Sequence, residues 1–345
     1  MAVYNSAAYL PAALDSILVQ TFADFELVVV DDASTDGTPA ILSAYAQRDD
    51  RFVLLRNERN LKLAASLNRG LAVCRAPLIA RADGDDLSHP KRFENQVEFL
   101  NGHPEVGLVS CSYSRIAADG LALGFHALPT ESAMIKFKLL WESSLCHPGV
   151  LYRAREVRAV GGYDEAFVTA QDYDLWARLT ERTEFANLAA FLLTVRRHEA
   201  CATTVHAQET SRLGCTVSVR LLSRYLGRSL TENETSALTS LLCAYDPIDG
   251  CQLDAALRLL DELLRRAEAR ETVPIYQWAR REISGALLKQ ASYRSYFDTR
   301  NSWKLWRKAS VVHRPHSVSK PSLYQLVRLL LRFLHLRVPE TVQGK

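Results

Sequence analysis

The chain has 345 residues, 48% of them hydrophobic and 23% charged, with 15 glycines and 12 prolines. Those proportions belong to ordinary globular proteins and exclude a disordered, collagen-like or disulfide-packed chain, and the length corresponds to about two domains. The net charge of +3 is uneven: residues 291–345 hold eleven Lys/Arg against two Asp/Glu, which leaves the first 290 residues at −6. An acidic body with a basic tail argues against nucleic acid as the main ligand. No stretch reaches the roughly 18 apolar residues of a membrane span, and the start MAVYNSAAYL lacks the basic and apolar regions of a secretory signal. The seven cysteines are scattered without CxxC spacing, as in a reduced cytoplasmic protein.

In chain order, Leu10, Leu14, Ile17 and Leu18 share one helical face. Leu27–Val30 is a short, apolar, β-branched run of the kind found in buried parallel strands. Asp36-Gly37 marks a turn, and helical spacing returns at Ile41, Leu42 and Tyr45. Phe52–Leu55 reads as a strand, Ala64–Leu71 as a helix, Leu78–Ala80 as a strand, and Pro90 opens a helix with Phe93, Val97 and Leu100 inward. This alternation predicts an α/β sheet with mostly parallel strands. Residues 130 to 206 are mixed, with strands near 149–152 and 190–196. From 207 the chain is helical: a Thr231-x-x-Glu234 capping box precedes Leu238, Leu241 and Leu242, and Leu253, Leu257, Leu260 and Leu264 form a stripe. Residues 1–4 read as the end of an apolar strand, shorter than the usual five to six or so residues, which predicts a natural start upstream of Met1.

Two acidic clusters carry the chemistry. Val30 runs into Asp31-Asp32, and Leu78-Ile79-Ala80 into Arg81-Ala82-Asp83-Gly84-Asp85-Asp86. Each follows the carboxyl end of a predicted strand, where α/β sheets place their ligands. Gathered carboxylates repel one another unless a cation or hydrogen-bond donors compensate, and a hard divalent ion between carboxylate and phosphate oxygens does so. Asp36 reads as a turn or cap residue. Asp32-x-Ser34-x-Asp36-Gly37 is not a calcium loop, because its twelfth position is Ser43 where a bidentate Glu is needed. A third acidic site, Gln171-Asp172-Tyr173-Asp174-Leu175-Trp176, opens an amphipathic helix; its acids either complement the helix dipole or supply a general base.

Taken in order over positions 1 to about 206, these motifs resemble the family 2 glycosyltransferases of the GT-A fold. The resemblance rests on Ala2-Val3-Tyr4-Asn5, Gln20-Thr21-x-x-Asp24-Phe25-Glu26, and Val30-Asp31-Asp32-x-Ser34-Thr35-Asp36-Gly37-Thr38. It continues through Asn60-x-x-Leu63-Ala64 to Asn68-x-Gly70, Ala80–Asp86, His147-Pro148, Gly161-Gly162-Tyr163-Asp164 and Gln171–Trp176. It implies a GT-A domain over 1–206, a helical region over 207–345, and an inverting, metal-dependent hexosyl transfer from a nucleotide-sugar donor, UDP-linked by default, to a hydroxyl acceptor. It also implies Mn²⁺ or Mg²⁺ as cofactor, and cell-surface polysaccharide or lipopolysaccharide synthesis as the setting. By position, Tyr4 and Asp32 would contact the base, Asp83 the ribose, Asp85 the metal, and Asp172 would deprotonate the acceptor hydroxyl.

Lys62, where many relatives carry Gly, is read as a contact to the diphosphate or as a solvated lysine. His198 is read as a late metal ligand or an exposed polar residue, and His147 as lining the acceptor side. Two alternatives stand beside the transferase. A catalytically inactive sugar-nucleotide-binding homologue is argued against by the intact Asp32, Asp83, Asp85 and Asp172. A sugar-1-phosphate nucleotidyltransferase would need a Gly-rich basic loop that residues 1–20 lack. In the tail, 322–338 places Gln325, Arg328, Arg332 and His335 on one helical face. It reads either as an interfacial helix giving peripheral contact with the inner face of a membrane, or as a helix packed on residues 210–270.

Overall fold

The computed structural model describes residues 1–199, 201, 205–243, 250–294 and 299–312. The chain divides into two compact units, Met1–Val217 and a second beginning at Ser218. The division falls inside the helix Ala207–Leu226.

The first unit opens with three parallel strands in the order β1 (Ala2–Val3), β2 (Leu27–Asp31) and β3 (Phe52–Arg56). Every residue of β2 is buried, as a continuous β-branched run between two layers must be. Helices α1 (Leu10–Leu18) and α2 (Thr38–Ala46) make the crossovers, and α3 (Leu63–Val73) follows β3. Proline stands in the first turn of α1 and α2, where its missing N–H costs nothing. Leu10, Leu14 and Ile17 of α1 pack with Val29 of β2 and Leu42 of α2 in one core cluster. The Gln20–Glu26 motif is scaffold: Gln20 donates to the His89 carbonyl at 2.8 Å and accepts from Phe93 N–H at 3.0 Å, tying the end of α1 to α4 (Arg92–Gly102).

The remaining strands are β4 (Leu78–Ala80), β5 (Leu87–Ser88), β6 (Val106–Ala117), β7 (Ala122–His126), β8 (Leu151–Arg153) and β9 (Glu184–Arg197). Their order is β4-β8-β6-β9-β5, with β7 on β6. Here only β6 and β9 run parallel; β4–β8, β6–β8, β5–β9 and β6–β7 are antiparallel. The described strands thus form two sheets, a three-stranded parallel one and a six-stranded mixed one. Local alternation of strand and helix cannot reveal this, because the neighbour of β4 arrives more than seventy residues later in the chain.

The β1 ladder covers only Ala2 and Val3, opposite Val30 and Asp31, and β4 pairs along one edge only, with β8. Leu27 and Val28 of β2 and all three residues of β4 line a cavity of about 760 Å³, with Ile17, Leu67 and Phe93. The three β4 residues are accordingly half-buried.

In the second unit the helices are Glu232–Cys243, Gly250–Arg270, Val273–Arg294 and Thr299–Val312. The capping box is reciprocal: Thr231 N–H donates to the Glu234 carboxylate at 2.9 Å, and Glu234 N–H to Thr231 Oγ1 at 3.3 Å. Leu253, Ala256, Leu260, Leu263, Leu264 and Ala267 form the buried stripe of the second helix, with Leu257 only half-buried. No helix among the described residues is long and apolar enough to cross a membrane. The segment 322–338 lies outside the described residues.

Candidate active site

The loops after β2 and β4 carry the acidic motifs, the loop after β1 carries Tyr4 and Asn5, and hydrogen bonds to the backbone hold them in place. Asp36 is a structural acid, accepting from Thr38 N–H at 2.9 Å and Ala7 N–H at 3.1 Å. Asn5 Oδ1 accepts from Thr35 N–H at 2.8 Å, joining the loop after β1 to the loop after β2. Tyr4 stands at the end of β1 with its side chain 48% exposed.

Asp32 is buried, and its carboxylate organises the loop leading to α3. Oδ1 accepts from Asn57 Nδ2 at 2.6 Å and Leu61 N–H at 2.7 Å, and Oδ2 accepts from Lys62 N–H at 2.9 Å. Each carboxylate oxygen accepts about two hydrogen bonds, so Oδ2 retains one acceptor position for an outside donor. Lys62 itself adopts φ 74°, ψ 170°, a region that is essentially glycine-only. Glycine would adopt that conformation without a Cβ penalty. The Lys62 side chain is exposed.

Asp83, Asp85 and Asp86 bring ligand oxygens within 4.8 Å of one another, and Asp85, His198 and Cys201 do the same. Gly84 is required between them: a Cβ there would lie 2.8 Å from Val3 Cγ1. Asp85 Oδ2 sits 3.0 Å from His198 Nε2, 113 residues away, because β5 pairs with β9 and carries the acidic loop to the end of that strand. Asp86 accepts from Arg196 N–H at 2.9 Å. The His198 ring packs on Tyr9 with centroids 4.9 Å apart, and the Arg196 guanidinium lies over the same tyrosine ring at 4.7 Å.

The crowding of charge is visible in the acids. Burial, then the charges of Asp83 and Asp85, push the Asp86 carboxyl up to about 8. Burial and the charge of Asp83 raise Asp85, against the opposing pull of His198. Beneath the cluster lies Arg81, 3% exposed and ion-paired with Asp83. The sequence had given Arg81 no role. Its signal was present, a cation at the head of an acidic motif, but only burial makes it the counter-charge of the site.

Asp172 lies in the first turn of α5 (Gln171–Leu179), a helix preceded by Ala170 in a left-handed conformation at φ 55°. It is half-buried. Burial raises its carboxyl above the usual range, the Tyr173 N–H and the Arg81 charge pull it down, and the Asp83 charge adds to the rise. Asp172 and the β4 acids therefore act on one another electrostatically. The next acid, Asp174, is structural: Arg178 donates to it at 2.7 Å and to the carbonyls of Val160 and Gly162 at 2.7 and 2.8 Å. From the other side Asn68 bonds Tyr163 N–H and carbonyl, both at 2.8 Å, so the Gly161–Asp164 loop is held between α3 and α5.

His147 is 8% exposed, its Nε2 2.9 Å from Tyr163 Oη, its ring centroid 6.0 Å from Trp176. Burial first, then the charge of Arg81, lowers its pKa well below the usual histidine value. It meets the Gly161–Asp164 loop through Tyr163, and Arg92 pins its own turn by donating to the Pro148 carbonyl at 2.6 Å. Asn5, Ala33, Lys62 and Ala170 are the non-glycine residues with positive φ among those described. Each flanks one of these motifs, as strained backbone at functional sites does.

The sequence profile of glycosyl transferase family 2 matches residues 1–157. The glycosyltransferase EpsE of Bacillus subtilis is 37% identical over 187 residues, 52% of this chain and 65% of EpsE. The uncharacterized glycosyltransferase MJ1057 of Methanocaldococcus jannaschii is 31% identical over 200 residues, 57% of this chain and 69% of MJ1057. This chain thus spans a little under two thirds of EpsE and a little over two thirds of MJ1057. The crystal structure of S. aureus TarS 1–349 in complex with UDP-GlcNAc superposes with a TM-score of 0.57 at 15% identity, covering 90% of this chain and 89% of that one. That likeness speaks for the GT-A fold alone. On the profile and the identity to MJ1057, the chain belongs to glycosyl transferase family 2.

Proposed function

We propose that the chain is an inverting glycosyltransferase that uses a nucleotide-sugar donor, UDP-linked by default, and a hydroxyl acceptor in surface polysaccharide or lipopolysaccharide synthesis. The observation that carries this reading is the meeting of Asp85 with His198 inside a carboxylate cluster, with Asp172 within electrostatic reach. TarS, bound to UDP-GlcNAc, supports a nucleotide-sugar donor.

The residues divide the work by chemistry. The free acceptor position of Asp32 Oδ2 suits a base N–H, and exposed Tyr4 offers a ring on which the base stacks. Asp83, half-buried and steadied by Arg81, faces the ribose hydroxyls. Lys62 projects a cation from the start of α3 toward the diphosphate. The cluster fits a divalent ion: Asp83, Asp85 and Asp86 supply oxygen donors, and His198 beside Asp85 supplies a nitrogen donor. Asp85 and His198 would hold Mn²⁺ or Mg²⁺, which when bound neutralises charge on the departing diphosphate. Asp172 takes the acceptor proton as the hydroxyl oxygen attacks the anomeric carbon from the face opposite the leaving group. His147 acts indirectly, keeping Tyr163 and its loop in place.

Calorimetric titration of UDP, GDP and dTDP, with Mn²⁺ and with EDTA, tests the reading. One nucleotide is expected to bind in a metal-dependent way and to lose that dependence in Asp85→Asn. Absence of binding by the folded protein would sink it and favour the inactive homologue.

A further inference from the structure

Cys201 brings a ligand type that neither the acidic cluster nor the proposed reaction uses. Its side chain is 9% exposed and held beside His198 by a tight turn. Cys201 N–H donates to the His198 carbonyl at 3.1 Å, and His198 N–H to Cys201 Sγ at 3.3 Å. The thiol in turn donates to the Arg196 carbonyl at 3.6 Å. Its sulfur, a carboxylate oxygen of Asp85 and a ring nitrogen of His198 all lie within 4.8 Å of one another. The bond lengths of a tetrahedral zinc site set such atoms about 3.3–3.6 Å apart, so small side-chain movements close the set.

We propose that Cys201 is a third protein ligand, and that Asp85, His198 and Cys201 form a carboxylate–imidazole–thiolate site for thiophilic divalent ions such as Zn²⁺ and Co²⁺, occupied without nucleotide. The proposal rests on the metal-binding reading of Asp85 and His198 and adds the sulfur. The chemistry divides the cluster: Asp83, Asp85 and Asp86 are hard donors suited to Mg²⁺ or Mn²⁺, whereas a thiolate selects softer ions. Three protein ligands with a fourth position open is the pattern of an accessible zinc site. On binding, the S–H bond breaks, a sulfur–metal bond forms, and the proton leaves to solvent. The consequence is that Zn²⁺ competes with the hard ion of the proposed transfer reaction and inhibits it.

Co²⁺ alone, titrated into the reduced full-length protein and followed by absorption, provides the test. A near-ultraviolet sulfur-to-cobalt charge-transfer band is expected alongside the visible d–d bands. Cys201→Ser should lose that band, bind Co²⁺ about 10-fold or more weakly, and need a correspondingly higher Zn²⁺ concentration for inhibition. Cobalt binding with d–d bands that are identical in the parent and Cys201→Ser would overturn the thiolate ligand while leaving Asp85 and His198 as ligands. A charge-transfer band that survives in Cys201→Ser belongs to another cysteine, such as exposed Cys251, and overturns it as well. Failure of Co²⁺ to bind without nucleotide also overturns the site, and the Mn²⁺-dependent nucleotide titration then decides the wider metal reading by itself.

Discussion

Charged residues are placed in opposite ways in the two units. In the first, Asp31, Asp32, Arg81, Asp86, Arg92 and Asp174 are all buried. In the helical unit the charges meet near the surface: Arg228 pairs with Glu262 at 2.7 Å and Glu234 at 3.2 Å, and Lys304 with Asp254 at 2.9 Å. Left-handed non-glycine backbone follows the same division, all of it among the described residues lying in the first unit. Burying charge and straining backbone both oppose stability. Asp31, Asp32, Arg81 and Asp86 sit at or just past the carboxyl ends of β2 and β4, which is where the proposed chemistry lies.

Exchanging the base for an amide is the severest test of that contrast. Asp172→Asn should lower kcat by about 10²–10⁴-fold while nucleotide affinity is unchanged; equal turnover in both proteins would remove Asp172 from catalysis. The pH profile sharpens the same point. The base works ionised and its folded pKa is raised, so activity is present above that pKa and lost as the pH falls through it. The acid limb should therefore lie above the value of about 3.9 for a free aspartate, and Asp172→Asn should abolish it. Asp32→Ala strands the buried Asn57 amide and frees two backbone N–H groups of an exposed loop, and should cost about 2 kcal/mol in denaturant unfolding; a loss below about 0.5 kcal/mol would contradict the organising role of that carboxylate.

Lys62→Gly should move two observables in opposite directions. Relief of the glycine-only backbone strain raises stability by about 1 kcal/mol, and loss of the cation weakens nucleoside diphosphate binding. Unchanged affinity would leave Lys62 a solvated lysine. The smallest effect belongs to the helical unit: Arg228→Ala, removing half-exposed pairs, should change stability by less than about 1 kcal/mol. A larger loss would erase the contrast between the units.

The motifs differ in how far their roles could be read locally. Asp36 as a cap and Thr231–Glu234 as a capping box are decided by neighbours a few residues away, so spacing sufficed. The Gln20–Glu26 motif read as part of the resemblance, yet its chemistry is purely structural, since Gln20 spends its amide on His89 and Phe93. His147 looked available from its place before Pro148, but Tyr163 and Trp176 enclose it. Strands β5 to β7 went unread: β5 has two residues, and the Val106–Ala117 run of β6 mixes serines with apolar residues and has no clean period.

By itself the sequence determined which residues carry charge at the ends of strands, where the helices of the first hundred residues run, that the chain is helical beyond 207, and which family the motifs resemble. Those features depend on periodicity and turn chemistry acting over a few residues. Tertiary structure alone decided that Arg81 lies buried beneath the acids, that Asp85 and Cys201 both meet His198, and that the strands after β3 form a second, mixed sheet. Strand pairing and charge compensation act between residues far apart in the chain, and local pattern holds no record of which distant partner satisfies a buried group.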